Sequence, residues 1–147
     1  MKLISLNIRG LGGHAKFLSL KFFLTGIGPH IVLLQETMSD VVRASTYLRP
    51  LFPDWSLVIT AANGLSGGCA VLWDPRFFAL TAFGFPGGIV LTGFCKGFKP
   101  RIHIINVYAP YHNKINFWQH LEECGFFMMK NIIMAGDYNC TFFPGEI

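Results

Sequence analysis

The sequence predicts a mixed α/β (α+β) fold. Short apolar runs at residues 2–8 and 30–37 flank a helix-like stretch at residues 14–25, which is the pattern of a strand–helix–strand unit. Successive β-rich runs follow, separated by turn-forming Asn, Asp, Pro and Gly, and these indicate antiparallel neighbours. A final helix and a final apolar strand then complete a pattern that is typical of helices layered on sheets.

The first part of the pattern begins with a strand over residues 2–8 that meets a glycine-rich turn. The helix over residues 14–25 is stopped by the glycines and proline of positions 26–29. The second strand, residues 30–37, is almost continuously apolar, as expected for a strand that is covered on both faces. Thr37 is expected to cap the next helix, which covers residues 39–48.

The middle of the chain is rich in short strands. They are predicted at residues 55–60, 68–73, 77–82, 88–94 and 101–108. Residues 77–95 carry no charge and have the length of a membrane span, but the proline and glycines of positions 84–88 favour two strands joined by a turn. A helix over residues 114–130 and a strand over residues 132–135 follow.

Composition limits the class of protein. The 147 residues suit one domain or part of one, and 52% of them are hydrophobic. The net charge of +4 comes from 12 basic and 8 acidic residues that are spread out, which weakly favours a polyanionic partner. Because the N-terminal stretch turns polar within a few residues, we expect no signal peptide. Because residues 77–95 are predicted to form two strands, we also expect no transmembrane helix, and an intracellular location in the nucleus or cytoplasm.

Four cysteines lie far apart in the sequence, with no C-x-x-C pair. They are Cys69, Cys95, Cys124 and Cys140. This spacing argues against a zinc ribbon and against a disulfide framework. We therefore expect four small buried residues in a reducing compartment, without a disulfide partner.

Polar side chains stand at the ends of several predicted strands. Asn7 ends the first strand, Glu36 the second and Tyr108 a later one, while Asp137 and Asn139 follow the last. Such ends gather at one edge in layered α/β proteins, where sites form. Each residue also has a structural explanation: a turn at Asn7, a helix cap at Glu36, a core aromatic at Tyr108, and an Asx turn at Asp137.

Five segments in order carry a family resemblance. They are residues 6–11 (LNIRGL), 33–37 (LLQET), 66–73 (SGGCAVLW), 106–110 (NVYAP) and 136–139 (GDYN). The series resembles the endonuclease/exonuclease/phosphatase family, which has the DNase I-like fold. The residues of these motifs are most similar to those of the apurinic-endonuclease-like domain of plant LINE-type non-LTR retrotransposons.

The resemblance implies a four-layer α/β sandwich, in which two mixed β-sheets are flanked by helices. It also implies cleavage of a phosphodiester that depends on a divalent metal, Mg²⁺ or alternatively Mn²⁺, with DNA as the partner. A hard cation of this kind is suited to carboxylate, water and phosphate oxygens.

The resemblance also implies a role for each matching residue. Glu36 is similar to the metal-ligand glutamate, and Asn7 to the active-site asparagine beside the metal. Tyr108 resembles the tyrosine near the phosphate. Asp137 resembles the aspartate that orients or deprotonates the attacking water, and Asn139 the amide that donates to the phosphate.

One departure from the family is large. The family's domain continues past the GDYN segment to a Ser-Asp-His, whereas this chain ends at Ile147. Residues 1–147 are therefore expected to be the N-terminal portion of one domain, incomplete at its C-terminus. None of the five histidines has the context of the missing one.

Three hypotheses follow. The chain is a fragment of a retrotransposon-type DNA endonuclease, or a catalytically inactive remnant or binding module of the same fold, or a phosphoinositide- or sphingomyelin-type phosphoesterase.

Overall fold

The computed structural model describes residues 1–63 and 66–140. The elements are β1 (Leu3–Asn7), α1 (His14–Ile27), β2 (Ile31–Gln35), α2 (Val41–Leu48), β3 (Ser56–Asn63), β4 (Ser66–Trp73), β5 (Phe78–Phe85), β6 (Gly88–Cys95), β7 (Phe98–Tyr108), α3 (Lys114–Glu123) and β8 (Ile132–Asp137). Single 3-10 turns follow α2 at Arg49–Leu51 and α3 at Phe126–Met128.

The strands form two mixed sheets of four. The first sheet has the order β1-β2-β4-β3, in which β1 and β2 are parallel and β4 is antiparallel to both neighbours. The second has the order β5-β6-β7-β8, in which only β7 and β8 are parallel. Each sheet therefore has one parallel pair, and in both sheets a member of that pair is an edge strand, β1 or β8.

The alternation of side chains along each strand produces the layers. In β2, Ile31 and Leu33 point toward the second sheet, while Val32 and Leu34 point toward the helices. The core between the sheets joins residues of both, including Val71, Trp73, Phe78, Ile89, Leu91 and Ile104. Helices α1 and α2 cover the outer face of the first sheet, and α3 covers that of the second. The predicted sandwich of two mixed sheets flanked by helices is confirmed.

Two local predictions were wrong. The cap of α2 is Asp40, whose Oδ1 accepts from the Arg43 N–H at 2.8 Å, while Thr37 is fully buried. Helix α3 ends at Glu123 instead of residue 130, because Gly125 adopts a left-handed conformation (φ 76°) that starts a 3-10 turn.

The uncharged stretch at residues 77–95 forms the β5–β6 hairpin, as predicted. No helix in residues 1–63 and 66–140 combines the length and apolarity that crossing a membrane requires.

The structure corrects the predicted burial of the cysteines. Among the four thiols, all of which are free in this structure, only Cys69 is buried. Cys95 is half-buried, and Cys124 and Cys140 are exposed, so the expectation of four buried cysteines was wrong. Cys124 lies at the C-terminus of α3, where an exposed small residue follows the last helical turn.

The difference in burial between Cys69 and the exposed cysteines predicts the order in which the thiols are modified. Burial raises the pKa of the Cys69 thiol to about 12, so at pH 8 it holds almost no thiolate. Iodoacetamide is expected to alkylate Cys124 and Cys140 in the native protein, and Cys69 only after unfolding. Peptide mass spectrometry with and without guanidinium measures this, and labelling of native Cys69 as fast as Cys124 would contradict the fold at β4.

Candidate active site

The two parallel strand pairs end at the same place in the molecule. In the first sheet, Asn7 of β1 is paired in register with Gln35 of β2. In the second, Tyr108 of β7 is paired with Asp137 of β8. Because the sheets pack face to face and β1 and β2 contact β8, these four C-terminal strand ends form one site. The five predicted site residues lie on these strands or directly after them.

The Asn7 side chain joins the two sheets. Its Nδ2 donates to Oε1 of Glu36 at 2.9 Å and to Oδ2 of Asp137 at 2.6 Å. The second bond spans 130 positions of the sequence. The structure therefore brings two carboxylates from different sheets to the same amide nitrogen.

The orientation of the Asn7 amide is fixed by its other end. Its Oδ1 accepts from the backbone N–H of Arg9 at 3.1 Å, so the nitrogen faces the carboxylates. In this orientation Asn7 is a neutral donor that holds Glu36 and Asp137 together. Direct ligation of a metal by the Asn7 oxygen stays a prediction and requires rotation of the amide.

The two carboxylates have no cationic partner within the described ranges, where the one ion pair joins Arg76 to Asp74. Two like charges at a half-buried site repel each other, and a bound cation relieves the repulsion. The carboxylate oxygens of Glu36 and Asp137 suit a hard divalent cation. Residues 1–63 and 66–140 hold no group of three His, Cys, Asp or Glu side chains with metal-binding geometry. These two carboxylates therefore fit a metal that keeps water and substrate oxygens as its other ligands.

A tight turn presents the Glu36 carboxylate. Glu36 has a left-handed backbone (φ 54°), which is uncommon for a residue with a side chain. Its carbonyl accepts from the Gly10 N–H at 2.6 Å, and the next two N–H groups donate to the carbonyls of Gly68 (3.1 Å) and Gly67 (3.0 Å). The glycines of the SGGCAVLW and LNIRGL segments thus hold this turn in place, a role that the sequence did not reveal.

Tyr108 is held as a neutral phenol. Burial is the main cause that raises its pKa, and the negative charge of Glu36 adds to it, while a contact with Asn139 acts in the opposite direction. A raised pKa keeps the hydroxyl protonated at neutral pH. Tyr108 can therefore donate a hydrogen bond to an anion next to the two carboxylates.

Asp137 and Asn139 form an Asx turn and also face the site. Oδ1 of Asp137 accepts from the Asn139 N–H at 2.9 Å, while Oδ2 accepts from Asn7. Nδ2 of Asn139 donates to the carbonyl of Ala109 at 2.6 Å, which ties the turn to the end of β7. The structural and the functional interpretations of this motif are thus compatible, because each carboxylate oxygen has a different partner.

A pair of buried amides supports the site from below. Gln35 and Asn106 are 1% and 0% exposed, and Gln35 Nε2 donates to Asn106 Oδ1 at 2.6 Å. Asn106 Nδ2 donates to the carbonyls of Leu34 (3.0 Å) and Ala70 (3.2 Å) in the opposite sheet. Gln35 precedes Glu36, and Asn106 lies two residues before Tyr108. In the sequence, each of these amides follows alternating apolar residues that face the core between the sheets. That position could have indicated a structural role, but none was predicted for Gln35 or Asn106.

Replacement of Asn106 by leucine is expected to lower the free energy of unfolding by about 1–3 kcal/mol. The change removes one of the two acceptors of the Gln35 amide, leaving only Ser5 Oγ, and it removes the Asn106 donor from two buried carbonyls. Urea denaturation measures the loss. The matched control is Asn116→Leu on the exposed face of α3, where we expect a change within about 0.5 kcal/mol. Equal stability of Asn106→Leu and wild type would contradict the inter-sheet role.

A cleft of about 830 Å³ opens at these strand ends. It runs along the edge strands β1 and β8, and its walls include Asn7, Asp137, Asn139, Tyr111 and Lys114. No histidine is among the described residues that line it. Of the two carboxylates, Asp137 lies on the wall of this cleft, so a substrate can approach it from solvent there.

Known proteins share this architecture. The TDP2 structure from Caenorhabditis elegans aligns with a TM-score of 0.67 and 17% identity, over 96% of this chain and 48% of that one. The human Nocturnin catalytic domain gives 0.70 and 16%, over 96% and 64%. The AP endonuclease LMAP from Leishmania major gives 0.68 and 17%, over 92% and 54%. The chain thus spans roughly half to two thirds of the length of these structures.

At these identities the structural likeness shows the fold. Comparison with curated proteins gave no significant match. The sequence profile described as "Endonuclease/Exonuclease/phosphatase family" matches residues 4–147, nearly the whole chain. The chain therefore belongs to the endonuclease/exonuclease/phosphatase family.

Proposed function

We propose that the chain is the N-terminal portion of a retrotransposon-type DNA endonuclease that hydrolyses a phosphodiester with an activated water and requires Mg²⁺ or Mn²⁺. It acts inside the cell, in the nucleus or cytoplasm. The observation that carries the proposal is the bridge from Asn7 to Glu36 and Asp137, because two carboxylates without a cationic partner meet a neutral donor there.

The proposed division of labour follows from the hydrogen bonds. Glu36 is the main protein ligand of the metal, and Asn7 keeps its carboxylate facing Asp137. When bound, the metal neutralises negative charge on the phosphate and polarises its oxygens. Asp137 orients the attacking water and accepts its proton. Tyr108 donates its neutral hydroxyl to a phosphate oxygen, and so does the second N–H of the Asn139 amide, the first being used by Ala109.

Support for a nucleic-acid substrate comes from three directions. The net charge of +4 favours a polyanion. The AP endonuclease of Leishmania major and the 3'-5' exonuclease NExo from Neisseria meningitidis share the fold. The segments LNIRGL and LLQET resemble the corresponding motifs of retrotransposon endonucleases. A 2',3'-cyclic phosphatase, ANGEL2, also shares the fold, so the substrate must be tested directly.

The test is nicking of supercoiled plasmid by the purified chain with Mg²⁺, with Mn²⁺ and with EDTA. Conversion to the open circle with either metal, and none with EDTA, supports the endonuclease. A folded protein that binds the metal but nicks no DNA overturns it in favour of an inactive remnant or binding module of this fold. Release of phosphate from phosphoinositide vesicles, without nicking, would favour the phosphoesterase instead.

A further inference from the structure

Two clefts meet at a single exposed tyrosine beside the active site. Tyr111 lines the cleft of about 830 Å³ together with Asp137 and Lys114. It also lines a second cleft of about 570 Å³, whose wall includes Tyr108 and Phe117. Tyr111 therefore lies on the path between the two clefts.

The position of Tyr111 is tied to the catalytic motif. Two residues before it, Ala109 donates its N–H to the Asp137 carbonyl at 2.8 Å and accepts from Asn139 Nδ2 at 2.6 Å. Both polar groups of this residue are thus bound to the Asp137–Asn139 turn. The start of the loop, and with it the approach to Tyr111, is fixed relative to the two carboxylates.

The ring of Tyr111 is open to solvent although it stands at this junction. The residue is 73% exposed, and Lys114 Nζ lies 5.7 Å from the ring centroid. An exposed tyrosine can be ordinary surface. This one combines a free aromatic face with an adjacent ammonium group, the pairing that binds a base and its phosphate in single-stranded nucleic acids.

The second cleft has the chemistry to accept a planar group. Its described wall consists mainly of aromatic, proline and glycine residues, including Pro86, Gly87, Phe117 and Tyr108. It contains no carboxylate and no lysine or arginine, and His112 is its one histidine. Such a wall suits a nucleobase better than a phosphate, because its described residues include no lysine or arginine to balance the phosphate charge.

We propose that Tyr111 and Lys114 form a subsite for one unpaired nucleotide next to the cleaved phosphodiester. The base stacks on Tyr111 at the mouth of the second cleft, and Lys114 contacts a phosphate in the first. The proposal rests on the nuclease function proposed above and narrows its substrate. A base inside an intact duplex cannot reach the ring, so the subsite selects DNA that is single-stranded or locally open.

Binding without metal isolates the subsite from cleavage. Fluorescence anisotropy in EDTA at fixed low salt would compare a labelled oligothymidylate with a duplex of the same length. Wild type is expected to bind the single strand more tightly. Tyr111→Ala is expected to weaken that binding about 5- to 100-fold, while Tyr111→Phe, which keeps the ring, stays within about 3-fold of wild type. Lys114→Gln is expected to reduce the slope of log affinity against log salt by about 1.

Phe83→Ala is the matched control. Phe83 is an exposed aromatic (60%) on β5 and lines neither cleft, so its loss is expected to leave binding unchanged. Thermal melting of each variant confirms that it is folded. Equal binding by wild type and Tyr111→Ala, an equal loss in Phe83→Ala, or tighter binding to the duplex overturns the subsite.

Plasmid nicking separates this proposal from the nuclease function. If wild type nicks but Tyr111→Ala binds normally, the subsite is wrong and the nuclease stands. If single-strand binding depends on Tyr111 but no metal supports nicking, the subsite stands and the nuclease fails.

Discussion

Asp137→Asn is expected to reduce the proposed metal-dependent cleavage of DNA by about 10²- to 10⁴-fold, the range by which a positioned general base accelerates proton transfer. The asparagine has nearly the same shape but cannot accept the proton of the attacking water. It keeps one accepting oxygen of the two that bind Asn7 and the Asn139 N–H. It also removes one of two neighbouring negative charges. The free energy of unfolding is therefore expected to change by less than about 1 kcal/mol.

The matched control is Asp54→Asn, since Asp54 is exposed and away from the described lining of the cleft. Its cleavage rate should stay within about 2-fold of wild type, as for an exposed surface position. Cleavage rates are measured in single turnover on a labelled duplex with an open region. An Asp137→Asn protein that is folded and cleaves at the wild-type rate would remove Asp137 from the mechanism.

Gly136→Ala is expected to destabilise the protein by about 3 kcal/mol or more, and to prevent folding if the wild type is marginal. Gly136 has a φ of 149°, and an added Cβ would lie 1.9 Å from the Val107 carbonyl oxygen. That oxygen belongs to the backbone of β7, the parallel partner of β8, so it cannot move aside like a flexible side chain. The glycine therefore allows β7 and β8 to approach at the position that precedes Asp137.

Gly26→Ala provides the matched control for this glycine. Gly26 lies within α1, and no heavy atom lies within 4 Å of an added Cβ there. Because alanine is the better helix former, this variant is expected to gain about 0.5–1 kcal/mol. Urea denaturation of both variants measures the contrast. A Gly136→Ala protein as stable as wild type would contradict the close approach of β7 and β8.

The fold was predictable where the hydrophobic pattern and the turn-forming residues indicate the same element boundaries. The continuous apolar run at residues 31–34 predicted a strand covered on both faces, and β2 is such a strand. The turn residues at positions 84–88 predicted the β5–β6 hairpin. Helix ends were predicted less accurately, because neighbouring residues compete for the capping and terminating positions. Asp40 displaced Thr37 as the helix cap, and Gly125 ended α3 early, because a nearby side chain or a single left-handed residue can override a periodic pattern.

By itself, the sequence determined which side chains stand at strand ends, since strand boundaries and the scarce polar residues are both local features. Asn7, Glu36, Tyr108, Asp137 and Asn139 were all identified in this way. Only the tertiary structure decided how they meet. The bond from Asn7 to Asp137 joins two sheets across 130 positions, and the buried contact from Gln35 to Asn106 joins them across 71. These contacts depend on the packing of one sheet on the other, and no local pattern encodes that packing.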